Sequence, residues 1–494
     1  MIIAITGLND KHKLNIENLS ALYFEEVTVD FTPKGEDITV HFTIEEADES
    51  VHVSALLEDK IKEYSSSFTL EFEQSEERFK TVKKAVNHVY VKLLTEKTGL
   101  QQPWGTLTGI RPTKLMHQLL RSGMTVDEVR TRLKTIYLMS DEKIYLLERI
   151  VERQLAVVPD LYQLDKEVSI YIGIPFCPTK CAYCTFPAYA INGRDGSVVA
   201  FLDGLHYEIT ETGKWLKEHG IKVTTVYFGG GTPTSISAEQ MDHLYEKMYQ
   251  SFPNMENIRE LTVEAGRPDT ITPEKIEVLK KWKVGRISIN PQSFENETLQ
   301  AIGRHHSVEE TIEKYKLSRA LGLENINMDL IIGLPGEGVP EMQHTLDETE
   351  KLLPESLTVH TLSFKRASTM TKNKEKYKVA DRNEISEMMK LTYEWTNNHG
   401  YEPYYLYRQK NILGNLENVG YAMPSKESIY NIMIMEECQT IIGLGCGAAS
   451  KLVQPATGKI TRFANPKDPH SYNERFKHYT HEKLLKLNEL FHLQ

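Results

Sequence analysis

Tyr171-Ile172-Gly173-Ile174-Pro175-Phe176-Cys177-Pro178-Thr179-Lys180-Cys181-Ala182-Tyr183-Cys184 runs from an apolar strand into a loop that holds three cysteines within eight residues. Three thiolates so placed can bind three irons of a [4Fe–4S] cluster and leave the fourth iron open to a small molecule. That marks a catalytic site. A structural zinc ion is the competing reading, but it needs a fourth Cys or His at short spacing, and neither 169–176 nor 185–193 offers one. A disulfide framework would be dense in cysteine and secreted, whereas this chain has five cysteines in 494 residues. The other two, Cys438 and Cys446, lie far from the loop in sequence and read as core residues.

Outward from the loop, 161–370 alternates short apolar strands with amphipathic helices. Val168 to Ile174, Val223 to Phe228, Glu260 to Glu264, Arg286 to Asn290, Asn327 to Ile332 and Leu357 to Ser363 read as strands. Val198 to Leu216, Ala238 to Tyr249 and Pro273 to Trp282 read as helices between them. Repeated right-handed βα units predict an α/β fold with a parallel sheet able to curl into a partial (β/α)6 barrel. Chemistry in such barrels gathers at the C-terminal strand ends.

The first third differs. Asp37 to Phe42, Ser50 to Leu56 and Ser67 to Phe72 alternate as half-buried strands before a helix over Glu76 to Leu94. Helices are expected over Met124 to Leu138 and Ser140 to Val157. These predict an α+β domain with a helical linker over 1–160 and a C-terminal helix and sheet extension over 371–494 that covers the active site. The turn-rich stretch Trp104 to Leu115 is either a substrate-proximal loop or a tight connection.

Composition sets bounds. With 40% hydrophobic and 26% charged residues, the chain can bury a large core. A net charge of −11, from 58 basic and 69 acidic residues, gives no global attraction to nucleic acid or anionic membrane. No apolar run is long enough to span a bilayer. Met1-Ile2-Ile3-Ala4-Ile5 is too short for a signal sequence and reads as a strand. Free thiols and a reduced cluster fit a cytoplasmic location.

Further motifs fall at the strand ends. Gly229-Gly230-Gly231-Thr232 follows the second strand; glycines there let successive amides point at a carboxylate, or simply make a turn. Glu264, Gln292 and Asp329 end successive strands, where each can hold a hydroxyl or ammonium group, or serve as a cap. Gly443 to Ser450 reads equally as a ligand contact or a packed turn.

The C-x3-C-x2-C loop resembles that of the radical S-adenosylmethionine (SAM) superfamily. The wider stretch, with Tyr171 six residues before Cys177 and Ile174-Pro175-Phe176 between, resembles the oxygen-independent coproporphyrinogen III oxidase (coproporphyrinogen dehydrogenase) family, and the long N-terminal region its HemZ-type branch. The resemblance implies a [4Fe–4S] cluster on Cys177, Cys181 and Cys184 and one or two SAM molecules. It implies SAM contacts at Tyr171, Tyr183, Gly230, Gly231, Thr232, Glu264, Gln292, Arg304, Asp329, Ser363 and Ala449, with Arg304 twelve residues after Gln292 and Asp329 twenty-five further on. The side chains of Ser363 and Ala449 differ from the family's usual ones.

The implied reaction belongs to haem biosynthesis. A radical made from SAM takes a propionate β-hydrogen, and loss of carbon dioxide and one electron leaves a vinyl group, converting coproporphyrinogen III to protoporphyrinogen IX. A tetrapyrrole substrate and a one-electron donor such as a flavodoxin or ferredoxin are the implied partners. Propionates need cations beside an apolar wall; Lys365-Arg366 and the run Tyr404 to Lys410 supply both, or form an ordinary edge strand. His305 and His306 are candidate proton donors or solvated loop residues. This chain departs from the oxidases in having Thr185-Phe186 where a further cysteine follows the loop, and in the short stretch after Ala449. A haem chaperone of the superfamily would show His-Asn-x-x-Tyr-Trp where this chain has Glu417-Asn418-Val419-Gly420-Tyr421-Ala422. A radical haem-modifying methyltransferase is a further alternative.

Overall fold

A computed structural model describes every residue except 25, 33–36, 74–75, 110, 192–195, 365–367, 410–411, 456 and 493–494. Contacts divide the chain into two units, Met1–Arg149 and Ile150–Gln494.

In the first unit, strands β1 (Ile2–Thr6), β2 (Thr28–Asp30), β3 (Ile38–Glu46), β4 (Ser50–Asp59) and β5 (Glu63–Glu71) form a sheet in the order β2-β1-β3-β4-β5. The last three are antiparallel, and β1 lies parallel to both neighbours. Alternation along β4 buries Val51, Val53, Ala55 and Leu57. The helix Arg78–Thr98 supplies the matching apolar stripe, with Val82, Val86, Val89, Leu93 and Leu94 buried. Gly99 ends it at φ 72°, the left-handed conformation that an L side chain resists. Strand β5 begins four residues before the expected Ser67 because Glu63 to Ser66 is polar; only one side of this edge strand is even half-buried. The helix expected from Met124 begins at Val126, where Thr125 and Glu128 close a reciprocal capping box.

A helix, Asp141–Val157, carries the chain into the second unit. There the strands are β6 (Glu167–Ile174), β7 (Phe176–Cys177), β8 (Tyr189–Ala190), β9 (Lys222–Gly230), β10 (Glu260–Glu264), β11 (Arg286–Ser288), β12 (Ile326–Ile332), β13 (Ser356–Thr361), β14 (Glu402–Tyr407), β15 (Asn418–Ala422), β16 (Thr440–Gly445), β17 (Ala449–Val453) and β18 (Ile460–Ala464). β6, β9, β10, β11, β12 and β13 are parallel neighbours in that order, the six-strand α/β run expected from the sequence. The run does not close. Antiparallel β15 and β14 extend it beyond β13, while β16, parallel to β6, leads to β17 and β18 at the other end. Strand β16 was not expected, since its Gly443 and Gly445 read as turn residues.

Parallel strands covered on both faces are normally apolar throughout. These alternate: Tyr171-Ile172-Gly173 in β6, Tyr227-Phe228-Gly229 in β9, Arg286-Ile287-Ser288 in β11, and Asn327-Met328-Asp329 in β12. The apolar members are fully buried as core, while Tyr171, Tyr227, Arg286, Ser288, Asn327 and Asp329 line one internal cavity of about 560 Å³. That volume lies within the ordinary range for ligand sites.

The end of the chain braces this sheet. Helix Pro469–Phe491 packs on helix Val198–Glu218, and Lys483, fully buried, pairs with the fully buried Glu208 and reaches the Gly443 carbonyl. Glu208 also accepts from the Gly445 amide and the Tyr472 hydroxyl, each at 2.7 Å, and from Asn465 at 2.8 Å. Among the described residues no helix is long and apolar enough to cross a membrane.

Candidate functional site

The cysteine loop begins where β6 ends. Phe176–Cys177 pairs with Tyr189–Ala190 in a two-stranded bracket, closed by the Tyr189 amide on the Pro175 carbonyl at 2.8 Å. Ala182 holds the far side: its amide donates to Ile302 at 2.9 Å and its carbonyl accepts from Met370 at 3.0 Å. Thr179 donates to the Gly303 carbonyl at 3.2 Å and accepts from Arg267, whose guanidinium also grips Asp269. A loop held at so many points keeps its thiols at the cavity before any metal arrives.

Cys177, Cys181 and Cys184 form no disulfide, and all three line the cavity. Burial, then the Thr232 hydroxyl 3.3 Å away acting in the opposite sense, leaves the Cys177 thiol raised to about 11. Bound iron removes such a proton outright. Among the described residues, no three His, Cys, Asp or Glu side chains converge on one point as the donors of a single ion do. A cubane does not ask them to, because each thiolate takes a different corner iron. The donor set therefore fits a [4Fe–4S] cluster held through three corners.

Every other residue expected at the site also lines this cavity: Tyr171, Tyr183, Gly230, Gly231, Thr232, Glu264, Gln292, Arg304, Asp329, Ser363 and Ala449. One expected role is corrected. The Gly231 and Thr232 amides do not point at a ligand; they donate to the Ile174 and Phe176 carbonyls at 2.8 and 2.7 Å. The glycine triplet stitches the cysteine loop onto β9, and a Cβ on Gly231 would meet the Phe176 carbonyl oxygen at 2.5 Å.

The strand-end groups differ in charge. Burial raises the Glu264 carboxyl to about 7, opposed by the Tyr227 hydroxyl that donates to it at 2.5 Å. Burial acts on Asp329 too, but His360 beside it, the Asn327 amide at 2.8 Å and the charge of Arg286 outweigh burial and hold it below its ordinary range; the Asn290 amide also donates to it at 2.8 Å. The lumen thus pairs a carboxyl that can carry a proton near neutrality with a permanent carboxylate. Arg304 is buried, donates to the Asn290 carbonyl at 2.6 Å, and lies beside Tyr183 and Cys181. Gln292 sits at φ 68° while bridging β12 through Asp329 and Ile331, a conformation that a non-glycine residue keeps only under constraint.

Other expectations fare differently. His305 and His306 do not line the cavity; His306 is buried, and burial followed by the charges of Arg304 and Arg267 lowers it to about 3, so it is no proton donor. Of the run Tyr404 to Lys410, Tyr405, Tyr407 and Gln409 reach the cavity. Tyr404 packs instead in the core with Ile432 and Met433. Arg408 is buried on the carbonyls of Leu416 and Asn415. Lys365, Arg366 and Lys410 lie outside the described residues. Cys446, expected as a core residue, is buried and also lines the cavity, at the end of β16.

Sequence reading missed Tyr227, Arg286, His360 and Tyr430. Three of them follow from the polar parity of the strands. Tyr430 had no such signal: it starts the helix Ile429–Glu436, whose N-terminus is fixed by Glu260 accepting from Ser428 at 2.9 Å and from the Ile429 amide at 2.6 Å. Its ring stacks on Tyr227 at 4.4 Å, and Tyr171 stands 6.3 Å from both.

Comparison with known proteins matches residues 171–349 to the radical SAM superfamily. Over 494 residues the chain is 63% identical to the oxygen-independent coproporphyrinogen-III oxidase-like protein HemZ of Bacillus subtilis, covering 99% of each. It is 35% identical to the heme chaperone HemW of the same organism over 39% of this chain and 50% of that one. Among solved structures, coproporphyrinogen III oxidase HemN from Escherichia coli aligns with a TM-score of 0.52 at 20% identity, over 69% of this chain and 74% of that one.

Proposed function

The chain belongs to the radical SAM superfamily and, within it, to the oxygen-independent coproporphyrinogen-III oxidase-like proteins, and from that premise we propose that it oxidatively decarboxylates two propionates of coproporphyrinogen III to vinyl groups, giving protoporphyrinogen IX. The observation that carries the proposal is one cavity lined by three cysteines outside any disulfide together with charged and aromatic groups. The superfamily's cofactors, a [4Fe–4S] cluster and SAM, supply an electron and a carbon radical able to take a substrate hydrogen.

The chain's own residues do the rest. Cys177, Cys181 and Cys184 hold the cluster. Arg304 offers its charge to the carboxylate of SAM, while Asp329, Glu264 and Gln292 face its ammonium and ribose hydroxyls. Gly230, Gly231 and Thr232 hold the cysteine loop against β9 at the cavity wall, and Tyr171, Tyr183, Ser363 and Ala449 bound the ligand. Each vinyl group formed takes from the propionate a β-hydrogen, carbon dioxide and one further electron, which leaves for an external acceptor. An enclosing wall matters because water and oxygen quench radicals. A flavodoxin or ferredoxin is the proposed electron donor, and the cytoplasm the proposed location.

The HemW relative keeps a second reading, haem binding and transfer, in view. Against it, Glu417 to Ala422 is wholly buried in and before β15, and no histidine is there to ligate haem. Anaerobic incubation of reconstituted protein with SAM, a reductant and coproporphyrinogen III, read by product mass, decides. Loss of two carbon dioxide units is expected; 5′-deoxyadenosine with an unchanged porphyrinogen would overturn the substrate.

A further inference from the structure

Arg286 sits one row of side chains below the strand-end groups. Tyr171, Tyr227, Thr262 and Arg286 are partners in register across β6, β9, β10 and β11, while Glu264 pairs with Ser288 in the row above. The arginine is only 2% exposed yet lines the cavity. Among the described residues it makes no ion pair, its one hydrogen bond runs from Nη2 to Ser356 Oγ at 3.0 Å, and its Nε has no acceptor. The carboxylates of Glu260, Glu264 and Asp329 act on it only at longer range, and Glu260 spends its hydrogen bonds on Ser428, Thr262 and the amides of Ile429 and Tyr430. A guanidinium is always charged, and burying one whose donors lack acceptors is costly.

A second buried group nearby also lacks a partner. Tyr430 stacks on Tyr227 and lines the same cavity, and its hydroxyl is unpaired. Tyr227, on which Tyr430 stacks, lies in register with Thr262 and Arg286. An anion in the cavity that accepts from the guanidinium and from the phenol would supply both missing partners, which is the chemistry of a carboxylate.

We propose that Arg286 and the Tyr430 hydroxyl form a carboxylate subsite on the floor of the barrel, beneath the row that holds Glu264, and that it anchors a carboxylate arm of the bound ligand. Two ligands of the proposed reaction carry such arms, the tetrapyrrole with its propionates and SAM with its amino-acid end; the tetrapyrrole source rests on the function proposed above, the subsite itself does not.

The test measures anaerobic binding of coproporphyrin III, its tetramethyl ester and S-adenosylhomocysteine to the reconstituted full chain and to Arg286→Met, Arg286→Lys and Tyr430→Phe. Arg286→Met is expected to weaken one carboxylate probe on the order of 30-fold or more. Arg286→Lys restores part of that, Tyr430→Phe loses several-fold, and ester affinity stays unchanged. A loss confined to coproporphyrin assigns the arm to the tetrapyrrole; a loss confined to S-adenosylhomocysteine assigns it to SAM. Wild-type affinity of Arg286→Met for every probe overturns the subsite, and should that variant not fold, wild-type affinity in both Arg286→Lys and Tyr430→Phe does so. Failure of wild type to bind coproporphyrin sinks the tetrapyrrole reading, and the S-adenosylhomocysteine arm then decides the subsite alone.

Discussion

The two sheets of this protein use the same alternation to opposite ends. In the first unit, the apolar parity of β4 turns inward onto helix Arg78–Thr98 and the polar parity outward, so the interior is a core of aliphatic and aromatic side chains. In the second, the apolar parity packs as core while Tyr, Arg, Asn, Asp, Glu and His line the cavity. Burying that polar set costs stability unless partners are supplied. The structure supplies them for Asp329 and Glu264, one for Arg286 and, among the described residues, none for the Tyr430 hydroxyl. Unpaired buried nitrogens occur in the first unit too, on His12 and His88, but Arg286 and Tyr430 face a cavity able to hold a ligand.

The sharpest way to break the contrast is Cys181→Ser, which removes one of three cluster ligands and leaves the scaffold. Iron content and brown absorbance after reconstitution should fall to near zero, along with SAM cleavage, while far-ultraviolet circular dichroism is unchanged. Retained cluster absorbance would contradict the three-thiol site.

Next come paired stability changes. Lys483→Met strands the buried Glu208 carboxylate and should cost about 3–5 kcal/mol. Leu94→Ala opens a cavity in the first unit's aliphatic core and should cost about 2–5 kcal/mol. Hydrogen exchange separates them: protection should drop within Ile150–Gln494 for the first and within Met1–Arg149 for the second. Loss of protection throughout the chain in either variant would show that the two sheets are not independent in stability.

The smallest expected effect is a pH profile. Burial raises Glu264 from its ordinary 4.5 to about 7, so the folded chain holds that proton more tightly than the unfolded chain does. Its stabilising share is full below about 4.5 and is lost as pH rises through about 7. In the cluster-free protein, denaturant titration across that window should show a decline that Glu264→Gln flattens only in part, because Glu337 is raised likewise by burial. An identical slope in the variant would remove Glu264 from the account.

Much of this was legible in residue order. The cysteine spacing marks the cluster loop, and Glu264, Gln292 and Asp329 mark the cavity wall, because parallel βα units put their C-terminal ends on one side, although Asp329 falls in the middle of β12 and not at its end. The lumen was also legible and went unread: Arg286-Ile287-Ser288-Ile289-Asn290 alternates through a strand that ought to be apolar on both faces. What the glycine triplet does was misread, since positive φ and missing Cβ are equally compatible with binding a ligand and with stitching two backbones together.

Local chemistry, then, settled the cluster, the parallel strands and the family, because spacing and periodicity act over a few residues. Only the folded chain decided that Tyr430 and Cys446 join the lumen, that His306 does not, and that Arg286 stands there with no close ion pair among the described residues. Those facts depend on which strand neighbours which, as β16 beside β6 shows across more than 260 positions. Pairing at that separation is set by the packing of the whole sheet, and no short stretch of residues encodes it.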